Sequence, residues 1–549
     1  MTRNRYLGVA LAGLASVALG ACGGSSKSSH SSGHTGTQTT PSTTTTATAP
    51  AASRPLVSVD AVEQGAQLSH YRLSIYDLRR VGSSYVVLDF GIVCEAPSVG
   101  CGTRFGFSPP GESAAATAGV NEASGVTLVD PLADKEYGVV RDSALHPQAS
   151  ELPFQSINDS ALHLGWVKFP APPTTTRALD VVFPNGGPQI PNVPLSTTPA
   201  TLPTSLGAGG TRATPGTSAQ PADSTSTAGM TLPITNLITT AGNAAGSDAE
   251  SSHQATITLR ADVLFRFDKS NLTPRAKAIL GPLAAKIKSR AVGPVQVTGY
   301  TDSIGTDQVN IPLSHARAAA VVADLRPALP GVTFHASGLG SADPVAPNTK
   351  PDGSDNPAGR ALNRRVTIVF AVKAPTPPTP PASAPAAPAG QSASARTVEF
   401  QVPGSDNRWH VSINGLYREG NLAVMKLSIT CALASGQTCN GATDFIGSQS
   451  VPPVTFAHNF LAQSFNAFWS LGGFYLTDPS TGTEYIPVYQ GTADPLTSII
   501  NNNMAAGDGY PAWVYLSAPP SSVNDVTVSL PGGSPKIANV PITTAPPGG

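Results

Sequence analysis

The sequence predicts a multidomain protein in which a central α/β domain lies between two all-β sandwiches that are homologous to each other. The 549 residues correspond to about three to four domains of ordinary size. The blocks 54–199 and 397–546 repeat the same short motifs in the same order. Residues 253–373 instead alternate between strand-like and helix-like periodicity.

The composition limits the class of function. The chain carries 33 Lys and Arg against 34 Asp and Glu, which leaves a net charge of −1. Because such a balanced chain has no strong electrostatic field, we expect no nucleic-acid partner. The 53 Gly and 52 Pro residues are an excess that predicts unfolded connectors between compact parts.

The N-terminus indicates export and lipidation. Two arginines precede an apolar run over 7–19, which ends at Leu19-Gly20-Ala21-Cys22. Charge, a short apolar stretch and small residues form a secretory signal, and the last four residues resemble the lipobox of bacterial lipoproteins. We predict a signal peptide over 1–21, a lipid on Cys22 and a flexible Ser/Thr tether over 22–53. The alternatives are an ordinary signal peptide with a chance cysteine and a transmembrane anchor.

Four further cysteines form two close pairs in the sequence. Cys94 lies near Cys101, and Cys431 lies near Cys439. In an exported protein this spacing predicts two local disulfides. Zinc is the alternative, but a zinc site would need both distant pairs in one place, so we expect no metal.

The repeated blocks are predicted to be sandwiches of antiparallel strands. The alternating run 87–94 recurs at 424–431, and Trp166 recurs as Trp513 with a spacing that then stays constant to the end of each block. Period-two alternation with Gly, Pro and Asn punctuation is typical of short antiparallel strands. The blocks resemble immunoglobulin-like modules. Trp166 and Trp513 are predicted to be core residues, with ligand stacking as the alternative.

Two segments between the domains are predicted to be linkers. Residues 200–252 are rich in Ser, Thr and Gly, which predicts a disordered connection. Residues 374–396 are rich in Pro and Ala, which predicts a stiffer and more extended one.

The central block predicts the element order β-α-β-α-β-β. Thr273-Pro274 is a good helix start, with Thr as the cap and Pro in the first turn. Pro282 is expected to kink or divide this first helix. The second helix is predicted over 313–325. The predicted strands cover 255–267, 295–300, 332–336 and 366–372.

Four motifs of the central block keep the order and spacing of a known family. They are Phe265-Arg266-Phe267-Asp268, Gly299-Tyr300-Thr301-Asp302, the helical set Asn310, Leu313, Ser314, Arg317 and Ala318, and Asn363-Arg364-Arg365-Val366. With these residues, 253–373 resembles the OmpA-like C-terminal domain, which is also the body of peptidoglycan-associated lipoprotein.

The resemblance implies that the domain binds peptidoglycan through the diaminopimelate of its stem peptide. By matching position, Asp302 would bind the ligand ammonium and Arg317 its carboxylate, while Asn310 and Thr301 would complete the pocket. The chemistry is consistent, because a zwitterion needs a carboxylate and a guanidinium held close together. The alternative is that Asp302 and Arg317 simply pair with each other on the surface.

Two further features of the central block are not assigned to ligand binding. Arg364 and Arg365 are expected to buttress the pocket loop, and direct ligand contact is the alternative. The acidic segment 352–356 could suggest calcium, but it lacks the EF-hand pattern, so we expect a solvated insertion.

The sequence favours a binding protein over an enzyme. It contains no Gly-x-Ser-x-Gly, His-Glu-x-x-His or phosphate-binding loop, so we assign no catalytic residue and no cofactor. We predict a protein anchored by lipid to the outer membrane or to the outer leaflet of the cytoplasmic membrane, which binds peptidoglycan. The alternatives are an adhesion or signalling lipoprotein whose sandwiches bind a protein or ligand, and a wall hydrolase with its catalytic part in a sandwich.

Overall fold

The structure is a computed structural model that describes most of the chain from residue 54 onward. The predicted signal peptide, Cys22, the tether and nearly all of the linker after residue 373 lie outside the described residues. The described residues are 54–64, 68–95, 101, 123–150, 157, 159–184, 187–203, 222–373, 396–401, 405–440, 445, 471–490, 494–498, 504–531 and 535–544.

The first flanking block consists of a four-stranded antiparallel sheet and four antiparallel strands that belong to a larger sheet. One sheet has the order β1-β2-β3-β6, and the strands of the other pair in the order β5-β4-β7-β8. Side chains from both sheets, such as Phe90 and Val181, share one buried core, because alternate residues of each strand face inward. The strands are β1 Val57–Gln64, β2 Leu68–Val81, β3 Tyr85–Cys94, β4 Thr127–Asp130, β5 Lys135–Tyr137, β6 His163–Pro170, β7 Ala178–Val182 and β8 Gln189–Pro194.

The central block packs helices on a mixed sheet. Its strands are β9 Ile234–Asn243, β10 Gly246–Glu250, β11 Gln254–Arg260, β12 Ala291–Gly299, β13 Phe334–Gly338 and β14 Arg365–Val372. Its helices are α1 Ala261–Leu264, α2 Pro274–Arg290, α3 Asp307–Leu325 and α4 Pro357–Asn363, with a 3₁₀ turn at Arg326–Ala328. The sheet order is β13-β12-β14-β11-β10-β9, and only the pairing of β12 with β13 is parallel in this run.

The first long helix, α2, begins where it was predicted, whereas α3 begins at Asp307 and not at 313. The strand predicted over 255–267 ends at Arg260, where α1 follows. The Thr273 hydroxyl accepts the Ala276 N–H at 3.1 Å, so the predicted cap forms. Pro282 lies inside α2 but does not divide it, since Leu280 and Leu283 on either side are buried in the same core. The predicted order omitted α1 and α4, because helices of four and seven residues are too short to show a period.

The second flanking block repeats the architecture of the first. Its sheets have the orders β15-β16-β17-β24 and β20-β19-β25-β26. The strands are β15 Arg396–Phe400, β16 Trp409–Glu419, β17 Leu422–Cys431, β18 Thr438–Cys439, β19 Tyr475–Thr477, β20 Glu484–Tyr485, β21 Tyr489–Gln490, β22 Asp494–Pro495, β23 Met504–Ala505, β24 Gly509–Ser517, β25 Asp525–Ser529 and β26 Lys536–Pro541.

Local details of the two sandwiches also match. Disulfides join Cys94 to Cys101 and Cys431 to Cys439, as predicted. Arg80 donates to the carbonyls of Pro172 and Pro173, and Arg418 donates in the same way to those of Pro519 and Pro520. Both tryptophans singled out by the repeat are buried, as expected for core residues, with 2% of Trp166 and 5% of Trp513 exposed.

The predicted disordered linker over 200–252 contains two ordered strands. β9 pairs with β5 of the first sandwich, with β20 and β21 of the second, and with β10. The prediction is corrected here for 222–252. β9 itself contains Ile and Thr residues, which favour strands, but it lies in a segment rich in Ser, Thr and Gly that is typical of a linker. The unpaired edges of the surrounding sheets supply backbone partners that the local sequence cannot reveal.

Within the part of the chain that the structure describes, no helix is long and apolar enough to cross a membrane.

Candidate ligand-binding site

The predicted site residues lie at one end of the central sheet. Thr301 and Asp302 follow β12 directly, and Asn310 and Arg317 lie on α3. All four are buried, with 4% to 8% of each residue exposed. Thr301 donates its N–H to the Gly340 carbonyl at 2.7 Å, which joins the loop after β12 to the loop after β13. The structure therefore brings the predicted residues into one region.

Asp302 is held by the backbone and by two arginines. Its Oδ1 accepts the Ile304 N–H at 3.1 Å. Its Oδ2 accepts Nη1 of Arg364 at 2.7 Å, and Nε of Arg360 lies 3.6 Å away. Two cationic side chains and a backbone N–H thus surround a carboxylate that is 8% exposed.

Arg317 is fixed at the base of its guanidinium and not at its tip. Its Nε donates to the Lys269 carbonyl at 3.0 Å, and the guanidinium lies over the Phe265 ring, 5.5 Å from the centroid. Within 222–373, all of which the structure describes, no oxygen accepts from its two terminal nitrogens. Burial lowers the pKa of Arg317, and the fields of Asp262, Asp268 and Asp302 act in the opposite direction.

Asp302 and Arg317 do not form an ion pair with each other. The described partners of Asp302 are Arg360 and Arg364, and that of Arg317 is a carbonyl. The alternative of a simple surface pair is therefore wrong on two counts, since both residues are also buried. The terminal nitrogens of Arg317 thus have no described partner, and the field of the Asp302 carboxylate acts on Arg317. A guanidinium and a fixed carboxylate in one domain suit a small ligand that carries both charges.

Thr301 and Asn310 shape the loop between the two charges. The Thr301 hydroxyl donates to the Asp302 carbonyl at 2.9 Å, and the Asn310 side-chain amide donates to the Ile304 carbonyl at 3.0 Å. Gly305 in this loop has φ of 98°, a left-handed conformation that favours glycine. Both side chains thus define the loop that carries Asp302.

The two supporting arginines have different positions. Arg364 contacts Asp302 directly, as described above. Arg365 stacks on the Tyr300 ring, 3.7 Å from the centroid, and donates to the Asp343 carbonyl at 2.9 Å. Arg365 therefore supports the strand ends, whereas Arg364 belongs to the site itself.

Two charged residues of the site were not predicted from the sequence. Asp262, on α1, accepts two hydrogen bonds from Arg364, and Arg360, on α4, lies beside Asp302. Asp262 is 102 positions from Arg364, so no local pattern connects them. Segment 352–356 forms a turn in which Ser354 donates to Asp352, and no group of metal ligands occurs among the described residues.

Apolar side chains lie exposed beside the site residues. Phe267 is 94% exposed, Ile304 64% and Val309 56%. Ile304 and Val309 flank the loop that carries Asp302, and Phe267 is two residues before the carbonyl that holds Arg317. Exposed apolar groups next to buried charges are typical of a ligand-binding surface.

Fold and site define a known class of domain. The model of the OmpA family matches residues 264–357, and this part of the chain is a domain of that family. The matched residues include Thr301, Asp302, Asn310 and Arg317 and exclude both sandwiches.

Individual relatives are similar to about a fifth of this chain. Peptidoglycan-binding protein ArfA of Mycobacterium tuberculosis (strain ATCC 25618 / H37Rv) is 40% identical over 109 residues, which cover 20% of this chain and 31% of that protein. Outer membrane protein A of Bordetella avium is 36% identical over 115 residues, or 21% of this chain and 56% of that protein. The chain thus spans less than two thirds of either relative.

Among solved structures, that of the peptidoglycan-associated lipoprotein from Burkholderia pseudomallei is similar to part of this chain. It is 31% identical, and the match covers 20% of this chain and 87% of that chain, with a TM-score of 0.16.

Proposed function

We propose that this protein is a lipid-anchored component of the bacterial cell envelope that binds peptidoglycan without a covalent bond. The central domain would contact the diaminopimelate of the stem peptide, and the lipid on Cys22 would hold the chain on a membrane. The protein would thereby tether a membrane to the wall, as a binding protein and not as an enzyme. We keep the immunoglobulin-like class of the two sandwiches as part of this proposal.

One observation carries the proposal: no described residue accepts from the terminal nitrogens of Arg317, while the Asp302 carboxylate is held in place and its field acts on Arg317. Diaminopimelate ends in an ammonium and a carboxylate on one carbon. Asp302 would accept the ammonium, and Arg317 would bind the carboxylate through both terminal nitrogens. The relative named as peptidoglycan-binding, ArfA, supports the same ligand class.

The test is co-sedimentation of the full chain with purified sacculi. We expect the protein to pellet with sacculi that contain diaminopimelate and to stay in solution with sacculi that contain lysine, which lacks the second carboxylate. Asp302→Asn and Arg317→Ala should each weaken pelleting by about tenfold or more, since a hydrogen bond to a charged group contributes about 1.5–3 kcal/mol.

Matched controls separate the site from general charge effects. Asp352→Asn and Arg326→Ala change exposed residues of the same domain outside the site, and they should pellet like the unaltered protein. Equal pelleting with both kinds of sacculi would refute the diaminopimelate assignment. Pelleting unchanged by both site variants would refute the site.

A further inference from the structure

A second carboxylate lies behind Asp302, on the far side of Arg364. Asp262 accepts Nε of Arg364 on Oδ1 at 2.9 Å and Nη2 on Oδ2 at 2.6 Å. The remaining nitrogen of the same guanidinium, Nη1, donates to Oδ2 of Asp302 at 2.7 Å. One planar guanidinium thus connects two carboxylates, and its orientation is set by the bidentate pair.

This division of donors affects what Asp302 can still bind. Each carboxylate oxygen can accept about two hydrogen bonds. Asp302 uses one position of Oδ2 for Arg364 and one of Oδ1 for the Ile304 N–H, while Nε of Arg360 lies 3.6 Å from Oδ2, beyond hydrogen-bond distance. If Asp262 did not hold Arg364 on two nitrogens, Arg364 could turn and grip both oxygens of Asp302. A ligand ammonium would then compete with a bidentate arginine.

We propose that Asp262 is a positioning residue of the site, which holds Arg364 in one orientation so that Asp302 keeps acceptor positions for a ligand ammonium. This inference rests on the proposed function, since it needs a cationic group that binds Asp302. Asp262 acts through Arg364 and does not itself touch the ligand.

The electrostatics of the neighbouring groups agree with this role. The hydrogen bond to Asp262 is the largest cause of the raised pKa of Arg364. Asp262 is also the carboxylate whose field most opposes the lowering of the Arg317 pKa by burial. Half of the Asp262 side chain is exposed, so solvent screens its field at Arg317, and its direct hydrogen bonds to Arg364 are the contacts through which it acts on the site.

A merely structural role is the competing explanation. The Asp262–Arg364 pair joins α1 to the start of β14 and could serve only to hold these elements together. An exposed pair of this kind contributes about 0–1 kcal/mol to folding. If the role is structural, loss of the Asp262 carboxylate should weaken binding of every ligand equally, whether or not Asp302 is present. If the role is positioning, the loss should affect only binding that depends on Asp302.

The experiment is a double-mutant cycle on the full chain, with binding measured by calorimetry. The probe is the tripeptide L-Ala-D-Glu-meso-diaminopimelate, and the control probe carries an acetyl group on the free amine of diaminopimelate. Asp262→Asn should weaken binding of the free-amine probe by about tenfold and leave binding of the acetylated probe unchanged. Asp262→Glu, which keeps the charge, should restore most of the affinity.

The cycle separates failure of this inference from failure of the proposed function. In a chain that carries Asp302→Asn, the further change Asp262→Asn should have no effect on binding. The positioning role would be overturned if Asp262→Asn weakened binding equally in the unaltered chain and in the chain that carries Asp302→Asn. It would also be overturned if Asp262→Asn alone did not weaken binding. If Asp302→Asn alone leaves binding of the free-amine probe intact, the proposed function itself fails.

Discussion

Glu136 provides a quantitative test of how the two sandwiches are joined. It lies on β5, is 6% exposed, and accepts the Gln490 side-chain amide of the second sandwich at 2.9 Å. The described partners of its carboxylate are neutral, and burial raises its pKa from 4.5 to about 7. The carboxylate is therefore uncompensated by a described cation once it ionises.

The sign and size of the effect follow from linkage. Because the folded pKa is higher than the unfolded one, the folded state retains a proton that the unfolded state releases between 4.5 and about 7. The free energy of unfolding therefore falls as the pH rises through this window. The total loss is about 3 kcal/mol, because each pKa unit corresponds to about 1.4 kcal/mol. Glu136→Gln removes the ionisation and keeps an oxygen that can accept from Gln490. It should stabilise the protein by up to about 3 kcal/mol at pH about 8 and by roughly nothing at pH about 4.

The assay is urea unfolding followed by tryptophan fluorescence. All four tryptophans of the chain, at positions 166, 409, 469 and 513, lie in the sandwich blocks, so the signal reports on these blocks and not on the centre. Glu399→Gln on β15 changes an exposed glutamate and should have no effect at either pH. The reasoning is refuted if Glu136→Gln destabilises the protein equally at both pH values.

Three further outcomes are expected. Thr273→Ala should cost about 1 kcal/mol of unfolding free energy by chemical denaturation, because the α2 cap is lost; an unchanged midpoint would contradict this. Gly338→Ala should destabilise the centre by about 1–3 kcal/mol or more, seen by circular dichroism, because a Cβ there would lie 2.2 Å from the His315 backbone nitrogen. Cys22→Ser should abolish metabolic labelling with palmitate and release the protein from membranes; continued labelling would exclude Cys22 as the acceptor.

Sequence patterns predicted the central domain because its main helices and strands each show the hydrophobic period of their own secondary structure. The apolar rows of α2 and α3 and the alternation of β11 and β14 are visible within single elements. The Thr273 cap is equally local. Asp302 and Arg317 were predicted because the motifs that contain them resemble those of the OmpA-like domain. Asp302 follows β12 directly, and Arg317 lies in the middle of α3.

The features that were missed depend on contacts between distant segments. β9 lies in a segment rich in Ser, Thr and Gly, and its pairing partners β5, β20 and β21 are distant from it in the sequence. Asp262 and Arg364 meet only after the sheet has assembled. Such features require the fold before they can be recognised, so no reading of adjacent residues would have revealed them.

The two sandwiches have diverged where each faces a different neighbour. Lys168 of the first donates to the Ser224 carbonyl, so its outer face is covered by the chain just before β9. Tyr515, its counterpart in the second, donates to Asp180 of the first sandwich at 2.5 Å. Lys426, in the same sheet, donates to the Gln189 carbonyl at 2.7 Å. Because buried polar groups need specific partners, a face that gains a new neighbour must change its residues, whereas the apolar interior keeps the common pattern. This accounts for a repeat that is strong in the core strands and weak on these faces.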